Sequence, residues 1–248
     1  MGGLAIASCS DRRAVVATNA TTPTVVSTTT TTSTSTTETT KATTTTQLAP
    51  ATTTSIATDG RPIGASVTGN RVILIGDSVL ASTASRFHGE MCDVLVPLGW
   101  RAEVDAEKSK YIDFASTVLD RRLNQGWDVA VILLGNNYTG DEVFFASQLA
   151  TVVQRLAPRP TLLLTVSEPG FTGGSVEVNE VIAATARLYG NVRVVDWAAV
   201  TAGDPTMLKD RVHPRASGRD ALTALIASEL GSAPQMPGKC LETEFNDD

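Results

Sequence analysis

From Arg71 onward, five short runs rich in branched aliphatic residues alternate with stretches of helical period, and that alternation leaves few folds open. After its first residue, Arg71-Val-Ile-Leu-Ile75 is continuously apolar, the character of a strand covered on both faces of a parallel sheet. Trp100 to Ala106, Asp128 to Leu134, Thr161 to Val166 and Val192 to Val195 read as the other strands. Helical period covers Val79 to about Leu98, Glu142 to Leu156, Glu177 to Leu188 and about Ser217 to Leu230. It also covers about Tyr111 to Asn124, where Ile112, Ala115, Val118, Leu119 and Leu123 share one face. Such alternation implies right-handed crossovers, so the expected architecture is α/β: a three-layer doubly wound sheet of five parallel strands.

The segment before these runs has a different composition. Residues 19–62 form a Thr-rich stalk; between Asn19 and Gly60 about half of the residues are Thr. With few large apolar side chains it cannot offset the entropy of ordering its backbone, so a disordered stalk is expected, either an O-glycosylated spacer or an unmodified linker. Residues 1–18 contain Ile6-Ala7-Ser8-Cys9, which resembles the lipobox of bacterial lipoproteins, whose cysteine carries lipid. The stretch is too short for a full export signal: it is either the remnant of one or a chance likeness. In an exported chain Cys92 and Cys240 can pair, tying the 235–248 tail to the body; the other reading is two inert thiols.

The 248 residues carry a formal charge of -6, without a Lys/Arg-rich run, which speaks against nucleic acid as a partner. No window approaches the roughly 18 consecutive apolar residues of a membrane span. The cysteines are too scattered for a zinc cluster, and one His beside one Asp falls short of a metal site, so neither metal nor cofactor is expected.

In doubly wound sheets ligands sit beyond the carboxyl ends of the strands, which makes the residues just after each strand the ones to inspect. Gly76-Asp77-Ser78 follows the first strand and suits either a nucleophile or an ordinary N-cap. Gly135-Asn136-Asn137 follows the third; an Asn side chain there can donate to an oxyanion. Asp210-Arg-Val-His213 precedes the last helix, and its spacing can set a carboxylate against an imidazole as a catalytic pair or as a structural salt bridge. The other histidine, His88, falls inside the first expected helix with no carboxylate at a partner spacing, and reads as a surface residue.

Together, in order and in position, these three blocks resemble the SGNH hydrolases, the GDSL-like lipases and esterases. The resemblance runs from about Arg71 to Leu230, within an expected domain at 63–234, and implies the flavodoxin-like SGNH hydrolase fold. It implies Ser78 as nucleophile, His213 as general base and then acid, and Asp210 as the group that orients His213. It implies an oxyanion hole from the backbone amides of Ser78 and a second-block residue and from the side chain of Asn137. The family has Gly in that second block, whereas this chain has Ser109; an amide survives the exchange, but a site that demands positive φ would strain a residue with a Cβ. Lys108 and Lys110 flank it and are either solvated loop charges or holders of an anionic substrate group.

The implied activity is that of an exported or envelope-associated bacterial serine esterase. It would hydrolyse or transfer small acyl groups, O-acetyl groups on cell-envelope glycans among them, through a covalent acyl-enzyme. The alternative is a non-catalytic glycan-binding module on the same fold.

Overall fold

A computed structural model of the chain describes residues 60–168 and 174–245. The lipobox-like segment with Cys9 and nearly all of the Thr-rich stalk lie outside the described residues.

Six parallel strands form one sheet: β1 (Arg71–Gly76), β2 (Arg101–Ala106), β3 (Val129–Leu133), β4 (Thr161–Leu164), β5 (Val192–Val195) and β6 (Lys239–Cys240), in the order β5-β4-β3-β1-β2-β6. The helices are α1 (Ser78–Ala81), α2 (Glu90–Leu95), α3 (Phe114–Arg122), α4 (Glu142–Leu156), α5 (Gly174–Leu188), α6 (Trp197–Gly203) and α7 (Ala216–Leu230). Helix α4 packs on α3 and α5, and α7 on α2 and α6; these two groups flank the sheet as outer layers. The doubly wound architecture is as expected, with one strand more. The sixth strand is a two-residue pairing in the C-terminal tail, too short to leave a periodic signal.

From β1 the chain first builds β2 on one side, then crosses back through α3 to lay β3 on the other. This reversal opens a crevice above β1 and β3. Gly76 ends in register with Ala106 of β2 and Leu133 of β3, so the loops after all three strands leave the sheet at one rim. A Cβ on Gly76 would meet the Leu80 Cβ at 2.6 Å and the Leu133 carbonyl oxygen at 2.9 Å, so only glycine lets the chain turn this tightly into α1.

The expected helix from Val79 to Leu98 is two helices. The Ser82 and Thr83 hydroxyls donate back to the carbonyls of Val79 and Leu80, which favours a turn over continued helix. Gly89 then enters α2 at φ 85°, a left-handed value outside helical backbone. His88 sits in the connecting turn and is exposed.

The C-terminal tail is built into the body. Cys240 is joined by a disulfide to Cys92 of α2, with Cα atoms 5.5 Å apart. Buried Arg122 of α3 pairs with buried Glu103 and Asp105 of β2; it also meets Glu244 of the tail at 2.9 Å, while Thr243 donates to Asp105. Phe245 packs edge-on against Phe114, ring centres 5.4 Å apart. Charges this deep require partners, and the tail supplies the Thr243 hydroxyl to Asp105 and the Glu244 carboxylate to Arg122.

Candidate active site

Asp77 caps α1 by accepting the Val79 N–H at 3.0 Å, which places Ser78 at the helix start and turns its hydroxyl toward the crevice. Ser78 Oγ lies 2.9 Å from His213 Nε2, 135 positions away in sequence.

The loop that brings His213 there is held at three points. Leu208 and Pro214 form an antiparallel bridge, flanked by the Lys209 N–H donating to the His213 carbonyl at 2.8 Å and the Arg215 N–H to the Met207 carbonyl at 2.7 Å. The Asp210 carboxylate accepts the His213 backbone N–H at 2.8 Å and faces its Nδ1 at 2.9 Å. Gly218, in the first turn of α7, lets the loop lie against the helix: a Cβ there would sit 2.5 Å from the Met207 carbonyl oxygen.

The backbone N–H of His213 is the main cause that holds the Asp210 carboxyl down at about 2, against an opposing burial effect, and the imidazole hydrogen bond adds to it. Asp210 is therefore ionised at any ordinary pH and can steady an imidazolium. The side chains of His213 and Asp210 are 47% and 51% exposed, so water or a second hydroxyl can reach the pair.

The sequence-derived residues come together. Ser78, Ser109, Asn137, Asp210 and His213 line one cavity of about 600 Å³. Asn137 donates one amide hydrogen to the Lys110 carbonyl at 3.0 Å, which fixes the side chain and leaves its second hydrogen for another acceptor. Ser109 adopts φ 56°, so the position that is Gly in the resembled family carries a Cβ in left-handed backbone. Lys108 lines the cavity, whereas Lys110 turns to Glu107, 2.5 Å from Nζ, and does not.

Other residues have places at the site that the sequence does not announce. Asp77 is completely buried and accepts both the backbone N–H and the side-chain amide of Asn136, joining the serine loop to the Asn137 loop. Burial raises its carboxyl to about 6, against the opposing hydrogen bonds from Val79 and Asn136 and the influence of His213. His88, Phe87, Lys209 and Arg219 complete the cavity wall. A smaller pocket of about 230 Å³, with Tyr111, Ile112, Tyr138, Phe144 and Phe145 in its wall, adjoins it and shares Asn137. Only the side-by-side placement of distant loops reveals these neighbours. Among the described residues no three His, Cys, Asp or Glu side chains gather as a metal site would require, and no helix is long and apolar enough to cross a membrane.

No family model matches the chain. It is 29% identical over 164 residues to the O-acetyltransferase OatA of Staphylococcus aureus, a match that covers 64% of this chain and 24% of OatA. The chain thus matches about a quarter of that relative's length. The C-terminal catalytic domain of Streptococcus pneumoniae peptidoglycan O-acetyltransferase A superposes with a TM-score of 0.52 at 19% identity, over 66% of this chain and 93% of that one. A G-D-S-L family protein from Desulfitobacterium hafniense superposes with a TM-score of 0.53 at 20% identity, over 65% and 99%. The fold is that of the SGNH hydrolases, with the Gly76–Ser78, Gly135–Asn137 and Asp210–His213 blocks gathered at one rim of its sheet.

Proposed function

We propose that this protein is a serine acyl-ester hydrolase or acyltransferase acting on small acyl groups, O-acetyl groups of cell-envelope glycans among them. One observation carries the reading: an unbroken run of hydrogen bonds from Ser78 Oγ through His213 to Asp210, each link 2.9 Å, in a water-accessible cavity. The likeness to two O-acetyltransferases supports the acetyl and glycan part of it.

Ser78 Oγ attacks the ester carbonyl carbon while His213 Nε2 takes its proton; Asp210 stabilises the resulting imidazolium. The carbonyl oxygen gains charge against the Ser78 and Ser109 amides and the remaining Asn137 amide hydrogen. The carbonyl-to-alkoxy bond then breaks and the departing oxygen takes the proton from Nε2. Water, or a hydroxyl of a second molecule, repeats the sequence on the acyl-serine. Hydrolysis and transfer differ only in that acceptor.

The Thr-rich segment acts in this reading as a spacer and Cys9 as a lipid attachment point, which puts the domain at the outer face of a bacterial envelope. The test is labelling of the full chain by a fluorophosphonate together with turnover of p-nitrophenyl acetate. Ser78→Ala abolishes the adduct and lowers turnover by about 10³-fold or more. A folded native protein that neither labels nor turns over refutes the proposal.

A further inference from the structure

The smaller pocket, of about 230 Å³, grows more apolar with depth. Ile112 and Phe145 are buried in its floor, Tyr138 is half-buried in its wall, and Tyr111 and Phe144 stand 49% and 42% exposed at its opening. Its two carboxylates, those of Asp113 and Asp141, are exposed as well, and Asp141 accepts the Phe144 N–H at 2.9 Å. The wall is pinned. Tyr138 donates to Glu177 at 2.8 Å, packs edge-on against Phe145 with ring centres 5.8 Å apart, and fills the space that a Cβ on Gly174 would need.

Proton transfer decides which half of an ester meets this pocket. When the carbonyl-to-alkoxy bond breaks, the electron pair leaves with the alkoxy oxygen, and that oxygen takes the proton held on His213 Nε2. It must then lie within hydrogen-bond reach of Nε2. His213 lines the larger cavity and is absent from the wall of the smaller pocket, which shares only Asn137 with it. The alcohol half therefore occupies the larger cavity. The carbonyl oxygen is held by Asn137, at the junction of the two, and the Asn137 amide is itself tied to the Lys110 carbonyl, one residue before Tyr111. With alkoxy oxygen and oxyanion so placed, the acyl chain leaves the reacting carbon on the side away from His213, where the smaller pocket lies.

Size then sets the chain. At about 30 Å³ for a water-sized group, 230 Å³ is room for several methylenes, far more than the single methyl of an acetyl group. Resting on the acyl-transfer reading above, we propose that the pocket floored by Ile112 and Phe145 is the acyl subsite and takes an aliphatic chain of about four to six carbons. Such a chain would cover the Tyr111 and Phe144 rings at the opening and set its methyl end on the buried floor.

The experiment measures kcat/KM of the full chain for p-nitrophenyl acetate, butyrate and hexanoate, each divided by the alkaline hydrolysis rate of that ester to remove intrinsic reactivity. A buried methylene is worth about fourfold, so one or both longer esters exceed acetate by about fivefold or more, and the better one gives the length. Tyr111→Ser and Phe144→Ser, at exposed positions where folding is least disturbed, each lower that ratio by about threefold. A corrected ratio of one or less for both chains in the native protein, or a ratio that neither substitution lowers, overturns the acyl subsite while leaving the hydrolase reading intact. If no ester turns over and no fluorophosphonate adduct forms, that reading has failed. Wherever turnover is absent, ligand-observed NMR decides the subsite. Tighter binding of ethyl butyrate than of ethyl acetate, lost in the Tyr111→Ser/Phe144→Ser pair, upholds it; equal binding, or a preference that the pair keeps, overturns it.

Discussion

The Asp77 carboxylate accepts the backbone N–H of Asn136 at 3.2 Å and its side-chain amide at 3.0 Å, in a place where neither residue is more than 4% exposed. The loop after β1 and the loop after β3 are thereby locked together just below the Ser78 hydroxyl. Asp77→Ala leaves the Asn136 donors buried without acceptors and frees the two loops from each other. We expect a stability loss of about 1–3 kcal/mol by urea unfolding. Steady-state kinetics on p-nitrophenyl acetate should show kcat falling by about 10²-fold, more than KM changes, because the groups that meet the transition state lose their relative placement.

The same residue sets a pH dependence. Burial raises its carboxyl from 3.8 to about 6, so on acidification the folded chain binds a proton before the unfolded chain does. Above the raised value the carboxylate is ionised in both states and its burial is a standing cost; as pH falls from about 6 toward 3.8 the fold gains that cost back. Native stability relative to Asp77→Asn should therefore rise on going from neutral pH to about pH 4, by up to about 3 kcal/mol. Urea unfolding of both proteins across that range checks the sign; a native advantage that shrinks on acidification contradicts it.

Ser109, at φ 56°, occupies backbone that costs a residue with a Cβ about 1–2 kcal/mol. Glycine avoids that cost but has more freedom to lose on folding, so Ser109→Gly should stabilise the protein by about 1 kcal/mol or somewhat less. Ser109→Ala should bring no gain and Ser109→Val a loss. Thermal unfolding of the three variants separates backbone strain from any effect of the hydroxyl.

Gly218 governs the other side of the site. The Cβ of Gly218→Ala would meet the Met207 carbonyl oxygen at 2.5 Å and the Pro214 Cβ at 2.9 Å, so the loop holding His213 must move outward. Overpacking of this kind costs about 1–3 kcal/mol. Displacement of the imidazole should lower kcat by about 10–100-fold and slow fluorophosphonate labelling of Ser78 in parallel. Unaltered labelling with altered stability would mean that the loop absorbs the methyl elsewhere.

Regular elements with a sustained pattern were legible in the sequence: β5 and α4 begin and end where periodicity places them, and α7 differs by one residue. What was not legible depends on contacts between distant segments. The turn between α1 and α2 hides in a helical pattern because Ser82 and Thr83 break the helix only through their own hydroxyl bonds and Gly89 through its conformation. Strand β6 exists only because β2 offers an open edge and Cys92 a partner. At the site, Ser78, Asn137, Asp210 and His213 could be read from three short blocks. His88 enters the cavity wall from the turn hidden in that helical pattern and Lys209 from the residue before the Asp210–His213 block, and Asp77 gains its second partner only when β3 lies beside β1.

The serine and the imidazole arrive from opposite ends of the folded body, and α7 is among its last elements to be completed. Until that helix docks, Ser78 is a common alcohol with no base beside it. In the proposed reaction, a chain still being synthesised, threaded outward or clipped before position 213 thus carries no armed nucleophile, and reactivity is postponed until the molecule is whole.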